Sequence, residues 1–248
     1  MTEGRILILG GTALAAALAK AVAELQISAV YSLAGRTAAT PLPGMEMRGA
    51  GFGGAAALAE YLTAENILAV IDATHAHAGQ ISANAEAACD AAKLPLLRLE
   101  SPPWQEVAGD WWIHVPDIAA ARDAAADIAK RVFVSTGRQA MAEFAEDRRS
   151  WWLARVIAPG DDLPVLANGC YRFARGPFAV ADELSLLGIH EIGAVISKNA
   201  GNAASYAKIA AARERKLPVI MIDRPDGGAA PRVDTVDAAM AWLQICLV

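Results

Sequence analysis

Short apolar runs alternate along the chain with longer segments in which apolar residues recur at helical spacing. The runs at residues 5–9, 27–33 and 68–71 have the length of strands, and the segment 12–25 has the period of a helix. Short apolar strands separated by helices are typical of a parallel sheet that is covered on both faces. The pattern therefore predicts an α/β fold.

The predicted elements form two series. In the first series the strands are 5–9, 27–33, 45–48, 68–71 and 96–99, and the helices are 12–25, 53–63 and 78–92. The pattern breaks at 101–104 and 109–114, and it restarts after a helix at 117–130. In the second series the strands are 131–135, 151–157, 194–197 and 218–222, and the helices are 139–145, 177–186, one that ends at 215, and 235–246. We expect two Rossmann-like lobes, 1–130 and 131–248, each with a parallel sheet flanked by helices and with a cleft between them.

Composition narrows this picture to a globular protein. Of the 248 residues, 55% are hydrophobic, and the mean hydropathy is +0.30, which excludes a disordered chain. The longest apolar runs are far shorter than the ~20 residues of a membrane span. Much of the apolar excess is alanine, which is the best helix former. We therefore expect a soluble, helix-rich protein.

Charge and cysteine content exclude several classes of partner. The 22 basic and 27 acidic residues give a net charge of −5, whereas nucleic-acid and anionic-membrane binding need a basic face. Cys89, Cys170 and Cys246 are scattered, so neither a disulfide framework nor a zinc knuckle is predicted. The N-terminus lacks a basic leader followed by an apolar segment. We expect a cytoplasmic protein without nucleic-acid or membrane partners.

The first candidate site follows the first strand. Gly10 and Gly11 allow a tight turn and a close approach of a phosphate to the backbone, and Thr12 can cap the next helix. The G-x-G-x-x-G pattern of dinucleotide sites is incomplete, because Thr12 and Ala15 stand at its later glycine positions. A glycine turn with a threonine cap is the alternative.

Two further segments of the first lobe bear on a nucleotide. Arg36 follows the second strand, where an acidic residue would contact the ribose 2′-hydroxyl of NAD and an arginine accommodates the 2′-phosphate of NADP. If a dinucleotide binds, Arg36 favours NADPH; otherwise it is a solvated loop residue. The glycine-rich stretch 49–54 is either a backbone clamp on a ligand or a flexible loop.

A polar cluster follows the strand 68–71. Asp72, His75 and His77 are of metal-ligand type, but their spacing matches no known metal site, so no metal is predicted. Contact with a substrate or cofactor, or proton transfer by a histidine, fits the position better. A loop held by caps and hydrogen bonds is the alternative.

Cations gather near strand ends of the second lobe. Lys198 follows one strand, and Arg138, Arg155, Arg172 and Arg175 lie at or after others. Each cation alone is typical of a solvated surface, but together they predict a cleft for a polyanion. Five tryptophans either line a large flat pocket or belong to the core: Trp104, Trp111, Trp112, Trp151 and Trp152.

Ten strings, taken in order, resemble one family. They are ILILGGT (6–12), SLAGRT (32–37), RGAGFGG (48–54), DATH (72–75), PPW (102–104), STGRQ (135–139), RVI (155–157), GPF (176–178), SKN (197–199) and PVIMIDRP (218–225). This set spans nearly the whole chain and is similar to the precorrin-6A reductases of cobalamin biosynthesis.

The resemblance implies an activity and a fold. Members of the family reduce the precorrin-6A macrocycle to precorrin-6B with a nicotinamide cofactor, delivering a hydride to C19 and adding a proton at C18. Their fold is two Rossmann-like lobes. The large flat tetrapyrrole, with its acetate and propionate carboxylates, matches a cleft lined by Arg138, Arg155, Arg172 and Arg175.

The resemblance also implies roles for single residues. Residues 10–12 would cradle phosphate, and Arg36 would favour NADPH. Thr74 and Lys198 would also bind the cofactor, and together with His75 they would lie near the reacting ends of the ligands. His75 is the first candidate for the proton donor and His77 the second, with water or the macrocycle itself as alternatives. The chain departs from the family where Leu14 replaces a glutamate, where THPFA is THAHA (74–78), and where SKNSGG is SKNAGN (197–202).

Two rival functions stay open. One is a cobalt-precorrin-6A reductase, which acts on the metallated ring, and the other is a non-catalytic carrier of a nucleotide or tetrapyrrole. Neighbouring enzymes of cobalamin biosynthesis are possible partners.

Overall fold

The structure is a computed structural model that describes residues 4–33, 45–225 and 227–247. Its strands, in chain order, are β1 (Arg5–Leu9), β2 (Ala29–Ser32), β3 (Glu46–Arg48), β4 (Ile67–Asp72), β5 (Leu96–Leu99), β6 (Trp112–Val115), β7 (Arg131–Ser135), β8 (Trp151–Val156), β9 (Gly169–Phe173), β10 (Ala194–Lys198), β11 (Val219–Ile222) and β12 (Arg232–Val233). Its helices are α1 (Ala13–Glu24), α2 (Ala55–Ala64), α3 (Gly79–Ala92), α4 (Ile118–Ile128), α5 (Ala142–Ala145), α6 (Val180–Ile189), α7 (Ala207–Glu214) and α8 (Val236–Cys246).

The described strands form two six-stranded sheets. The first has the order β12-β5-β4-β1-β2-β3 and the second the order β6-β11-β10-β7-β8-β9. Every strand pairing is parallel. Both orders match the 3-2-1-4-5-6 arrangement of the Rossmann fold, with β1 and β7 as the first strands. The predicted α/β fold, with two Rossmann-like parallel sheets flanked by helices, is confirmed.

Helices cover both faces of each sheet, which explains the continuous apolar runs of the central strands. In β1, Ile6 and Ile8 pack with α1 and α8, whereas Leu7 and Leu9 pack with α2 and α3. In the second sheet, α4 and α5 cover one face, and α6 and α7 cover the other. A strand buried on both faces needs apolar residues at every position rather than at alternate ones.

The chain divides into two compact units, and in each unit the sixth strand lies outside the consecutive series of the other five strands. The first unit consists of residues 1–102 and 225–248, and the second of residues 103–224. Strand β6 precedes the other strands of the second sheet along the chain, and β12 returns from the end of the chain to pair with β5 of the first sheet.

This division differs from the predicted boundary at residue 130. Helix α4 was expected in the first lobe, but Ala121 and Ala125 are buried in the core of the second unit. Helix α8 was expected in the second lobe, but Ala239 and Leu243 are buried with α1 in the first unit. The order of elements along the chain does not reveal the unit to which α4 or α8 belongs, because each helix has a normal amphipathic pattern wherever it packs.

Three strands escape the sequence pattern. They are β6, β9 and β12, and all three lie at sheet edges. None of the helices in the described ranges combines the length and the apolar character that a membrane span requires.

Candidate active site

The first sheet has its topological switch point between β1 and β4. These two strands are neighbours, with Leu9 opposite Asp72, and the chain leaves them toward opposite sides of the sheet. Ligands of open parallel sheets bind beyond the carboxyl ends of the strands at such a point. The structure therefore brings the predicted residues Gly10, Gly11 and Thr12 to the same edge as the polar segment that follows Asp72.

The two glycines at this edge are required by the backbone. A Cβ atom on Gly10 would lie 2.3 Å from Cζ of Tyr31, so a side chain there would displace a buried ring. Gly11 has a φ of +119°, a conformation that favours glycine, and its position has open space around it. The backbone N–H of Gly11 donates to the Tyr31 hydroxyl over 3.3 Å.

Thr12 joins the start of α1 to the end of β4. Its hydroxyl accepts a hydrogen bond from the N–H of Ala15 over 3.0 Å and donates one to the carbonyl of Ala73 over 2.8 Å. The side chain thus acts as the helix cap that the sequence predicted. The first backbone N–H groups of α1 have no partner within the helix, and these groups can meet an anion at the edge. Ala15 is fully buried and small enough for close contact between the helix and the sheet.

Asp72 organises the loop after β4 from inside the unit. It is buried, and one carboxylate oxygen accepts hydrogen bonds from the N–H and the hydroxyl of Thr74, over 3.1 and 2.6 Å. Its other oxygen lies 3.8 Å from Nε of the buried Arg98. A carboxylate held in this way shapes the loop. The sequence signal for Arg98 was a lone arginine in the apolar strand 96–99.

His75 and His77 share the next turn of this loop. Nδ1 of His75 accepts a hydrogen bond from the backbone N–H of His77 over 3.1 Å, and the two ring centres are 5.5 Å apart. This bond matches a neutral His75 imidazole that carries its proton on Nε2. His75 is exposed and His77 is half-buried.

Metal ligands do not converge at this edge or elsewhere in the described part of the chain. The structure there contains no group of three His, Cys, Asp or Glu side chains arranged to hold an ion. Arg36 lies outside the described residues, so the role predicted for it stays a prediction.

The second sheet has an equivalent switch point between β7 and β10. Ser135 is paired with Ser197 across these strands. Lys198 ends β10 and is half-buried, and burial lowers the pKa of its ammonium group. Thr136 follows β7 with its hydroxyl buried and, among the described residues, without a hydrogen-bond partner. This edge of the second sheet thus carries the Lys198 ammonium group and the hydroxyl-bearing residues Ser135, Thr136 and Ser197.

The four arginines predicted to bind substrate fall into three situations. Arg138 binds the loop after β8 through the Asp162 carboxylate and the carbonyl of Pro159. Arg172 and Arg175 are exposed and form no ion pair with any residue that the structure describes.

Arg155 differs most from its predicted role. It is buried, its guanidinium pairs with the buried carboxylate of Glu183, and it lies 3.7 Å from the centre of the Phe178 ring. An arginine with these partners supports α6 and the loop before it rather than offering a free charge. The sequence cannot show this, because Glu183 is distant along the chain.

A second buried cation, Lys208, was missed. Only 2% of it is exposed, its ammonium group donates to the carbonyl of Ser205 over 2.6 Å, and it lies 5.0 Å from the centre of the Trp104 ring. Burial lowers the pKa of Lys208 to about 7. The available signal was a lysine between the apolar neighbours Ala207 and Ile209.

The tryptophans divide between the core and the surface. Trp152 is fully buried in the core and Trp111 is 55% exposed. Trp104, Trp112 and Trp151 are partly buried against the core of the second unit.

Comparison with known proteins gives consistent matches over most of the chain. The family described as "Precorrin-6x reductase CbiJ/CobK" matches residues 5–244. A precorrin-6A reductase from Rhodobacter capsulatus is 44% identical over 239 residues, which cover 96% of this chain and 95% of the relative. One from Rhodococcus erythropolis is 42% identical over 241 residues, which cover 96% and 97%. A cobalt-precorrin-6A reductase from Priestia megaterium is 26% identical over 180 residues, which cover 68% and 69%.

Comparison with solved structures agrees. A structure titled "CobK precorrin-6A reductase" superposes with a TM-score of 0.89 at 43% sequence identity. The match covers 98% of this chain and 97% of that one.

Proposed function

Because the chain belongs to the precorrin-6x reductase family, we propose that it is a precorrin-6A reductase, an oxidoreductase that converts precorrin-6A to precorrin-6B in cobalamin biosynthesis. The observation that carries this proposal is the 44% identity to a precorrin-6A reductase over 95% of that relative. The relatives named for the cobalt form are 26% and 28% identical and match over 68% and 63% of this chain. The metal-free macrocycle is therefore the preferred substrate.

The nucleotide site of this proposal is the carboxyl edge of the first sheet. A dinucleotide phosphate needs a close backbone approach and free N–H donors. The open space around Gly11, its φ of +119°, and the start of α1 meet both needs. Residues 10–12 would hold the phosphates through their backbone, because the Thr12 hydroxyl is already bonded to Ala73. Thr74 would contact the cofactor from the adjoining loop.

When bound, NADPH supplies the hydride that is added to C19 of the macrocycle, and a proton is added at C18, so that the ring gains two electrons. The residues of this chain would bind and orient the two ligands, and they would supply that proton. His75 lies in an exposed loop, and its Nδ1 accepts a hydrogen bond from the backbone N–H of the nearby His77. His75 remains the first candidate for the proton donor, and His77 the second. Donation by His75 requires the doubly protonated ring, and so requires its bond with the His77 backbone to open.

The substrate carboxylates are assigned to cations of the second unit. Arg172 and Arg175 are exposed with no ion pair to a described residue, whereas Lys198, half-buried at a strand end, would bind the cofactor. Arg138 is engaged with Asp162, so it would need to change partner. We leave Arg155 out of this group, because its charge is neutralised by Glu183 inside the unit.

Turnover of purified protein with precorrin-6A and NADPH tests the function directly. We expect oxidation of NADPH and formation of precorrin-6B, and a slower reaction with the cobalt-loaded ring. A strong preference for the cobalt form would favour the rival reductase. Binding of NADPH without any oxidation in the presence of precorrin-6A would favour the carrier.

The choice of NADPH over NADH depends on Arg36. Substitution Arg36→Ala should weaken NADPH at least ten-fold and leave NADH nearly unchanged, because only NADPH carries the 2′-phosphate. Dissociation constants from nucleotide fluorescence, compared with those of an Arg36→Lys variant, measure this difference. Equal losses for both nucleotides would remove Arg36 from the site.

The proposal places the protein in the cytoplasm. Cys89, Cys170 and Cys246 are free thiols, and a reducing compartment keeps thiols in this form. A tetrapyrrole intermediate could also be exchanged with neighbouring enzymes of the pathway.

A further inference from the structure

Asn199 is hydrogen-bonded to both segments in which the chain passes between its two units. It is the residue after Lys198 and only 7% of it is exposed. Two segments that are far from it in sequence, near residues 104 and 224, are hydrogen-bonded to it. These are the two places at which the chain passes between its units, since the second unit runs from Pro103 to Arg224.

The entering segment is held by the Asn199 side chain. Its Oδ1 accepts a hydrogen bond from the N–H of Trp104 over 2.8 Å, and its Nδ2 donates to the Trp104 carbonyl over 3.1 Å. Both backbone groups of one residue are thus satisfied by one amide. Pro102 and Pro103 precede Trp104, and proline fixes φ, so the segment that carries this anchor is stiff.

The leaving segment is held by the Asn199 backbone. Nε of Arg224 donates to the Asn199 carbonyl over 2.9 Å, and the N–H of Asn199 donates to the carbonyl of Ile222 over 3.2 Å. Pro225 follows as the first residue of the returning segment of the other unit, and it packs on Gly79 there. Gly79 begins α3, directly after the loop that contains His75.

We propose that Asn199 is a positioning residue for the reduction, because it fixes both chain crossings on the second unit at the residue beside Lys198. This inference rests on the proposed function. A buried amide with both its polar ends used by a single backbone residue cannot shift without losing hydrogen bonds. Reaction geometry is sensitive to small displacements, and a misplacement of about 1 Å can lower a rate about 100-fold.

The test compares Asn199→Ala with Asn168→Ala. Asn168 is a matched control, because its Nδ2 also donates to a backbone carbonyl of the second unit, that of Ser150 over 2.8 Å. Within the described residues, its hydrogen bonds go to residues 148, 150 and 152 and to neither crossing. We expect Asn199→Ala to lower kcat about 10- to 100-fold with little change in the KM for NADPH. Asn168→Ala should keep kcat within about two-fold even though it also loses hydrogen bonds.

A second readout does not depend on activity. Hydrogen exchange of the Trp104 amide, followed by mass spectrometry, should accelerate in Asn199→Ala and stay unchanged in Asn168→Ala. If Asn199→Ala does not fold, Arg224→Met, which removes the bond to the Asn199 carbonyl, replaces it and should show the same fall in kcat.

The outcomes separate the inference from the function. Equal kcat in wild type, Asn199→Ala and Asn168→Ala would overturn the positioning role while the reductase stands. Faster Trp104 exchange with unchanged kcat would also overturn it, because the anchor would then serve only stability. A wild-type protein without any precorrin-6A reduction would instead overturn the proposed function.

Discussion

Lys208, a buried residue of the second unit, has a pKa near neutral pH. Its ammonium group lies in an enclosed place together with Arg155 and Glu183, and it donates to the Ser205 carbonyl. Burial disfavours the charged form, so its pKa is about 7 in the folded protein, against an ordinary value of 10.5.

This shift has a defined sign for stability. Between about pH 7 and 10.5 the unfolded chain binds the Lys208 proton and the folded protein does not. Raising the pH through this window therefore stabilises the folded state. We expect the free energy of unfolding to gain about 2 kcal/mol from this group between pH 7 and pH 9. Urea denaturation at both pH values measures the gain, with Lys208→Met as the control that should lack it. An identical pH dependence in both proteins would contradict the buried titration.

His75 permits a second prediction at the same scale. We expect His75→Ala to lower kcat at least ten-fold, in the range of general-acid catalysis, and to leave the dissociation constant of NADPH nearly unchanged. His77→Ala tests the second candidate in the same assay and keeps the backbone N–H that donates to Nδ1 of His75. A loss of rate in His77→Ala alone would make His77 the donor. Single-turnover rates measure both variants. A full rate in His75→Ala would mean that His75 only shapes its loop.

The positions of the candidate site residues were predictable where they depend only on the order of strands and loops. Gly10, Gly11 and Thr12 follow a buried strand, so the strand-end rule was sufficient to place them at the sheet edge. The role of Arg155 depends on Glu183, which no local pattern connects to it. Lys208 bonds to the nearby Ser205, but its burial beside the ring of Trp104 depends on a residue far away in the sequence. An arginine at a strand end has the same sequence signature whether it faces solvent or a buried carboxylate.

At the scale of elements, the start of α1 is joined to β4 by a single hydroxyl. Thr12→Ala removes both the cap on Ala15 and the bond to the Ala73 carbonyl. We expect a loss of about 1 kcal/mol of unfolding free energy, measured by urea denaturation. Thr12→Ser retains the hydroxyl and should recover most of the loss. A Thr12→Ala protein as stable as wild type would show that the cap contributes nothing.

The elements that the sequence predicts best are the central ones. Strand β1 was predicted at its observed bounds, because a strand buried on both faces leaves an unbroken apolar run. The missed strands β6, β9 and β12 are edge strands with neighbours on one side only. Arg232–Val233 is two residues long, and most of β9 is exposed or half-buried, so neither has a distinct period.

The positions of the sixth strands along the chain determine which fragments of the protein can fold. Residues 103–224 contain all six strands of the second sheet, whereas residues 131–248 lack β6 and α4. We expect the fragment 103–224 to unfold cooperatively in urea and the fragment 131–248 to lack a cooperative transition, because α4 buries Ala121 and Ala125 in that core. Circular dichroism during urea titration compares them. A cooperative 131–248 fragment would instead support the boundary that the sequence suggested.

The position of β12 after the whole second unit also sets the order in which the two sheets are completed during translation. The first five strands of the first sheet are synthesised early, but β5 lacks its outer neighbour until β12 has been made. At roughly 5 to 20 residues per second, synthesis of the chain from Leu99 to Arg232 takes roughly 7 to 26 s. During that interval the nascent sheet has an open edge at Leu96–Leu99, and open edges pair with other chains. The sheet whose strands are made first is thus completed after the second sheet. Slowing of translation after residue 102 would therefore lengthen the time during which its open edge can aggregate.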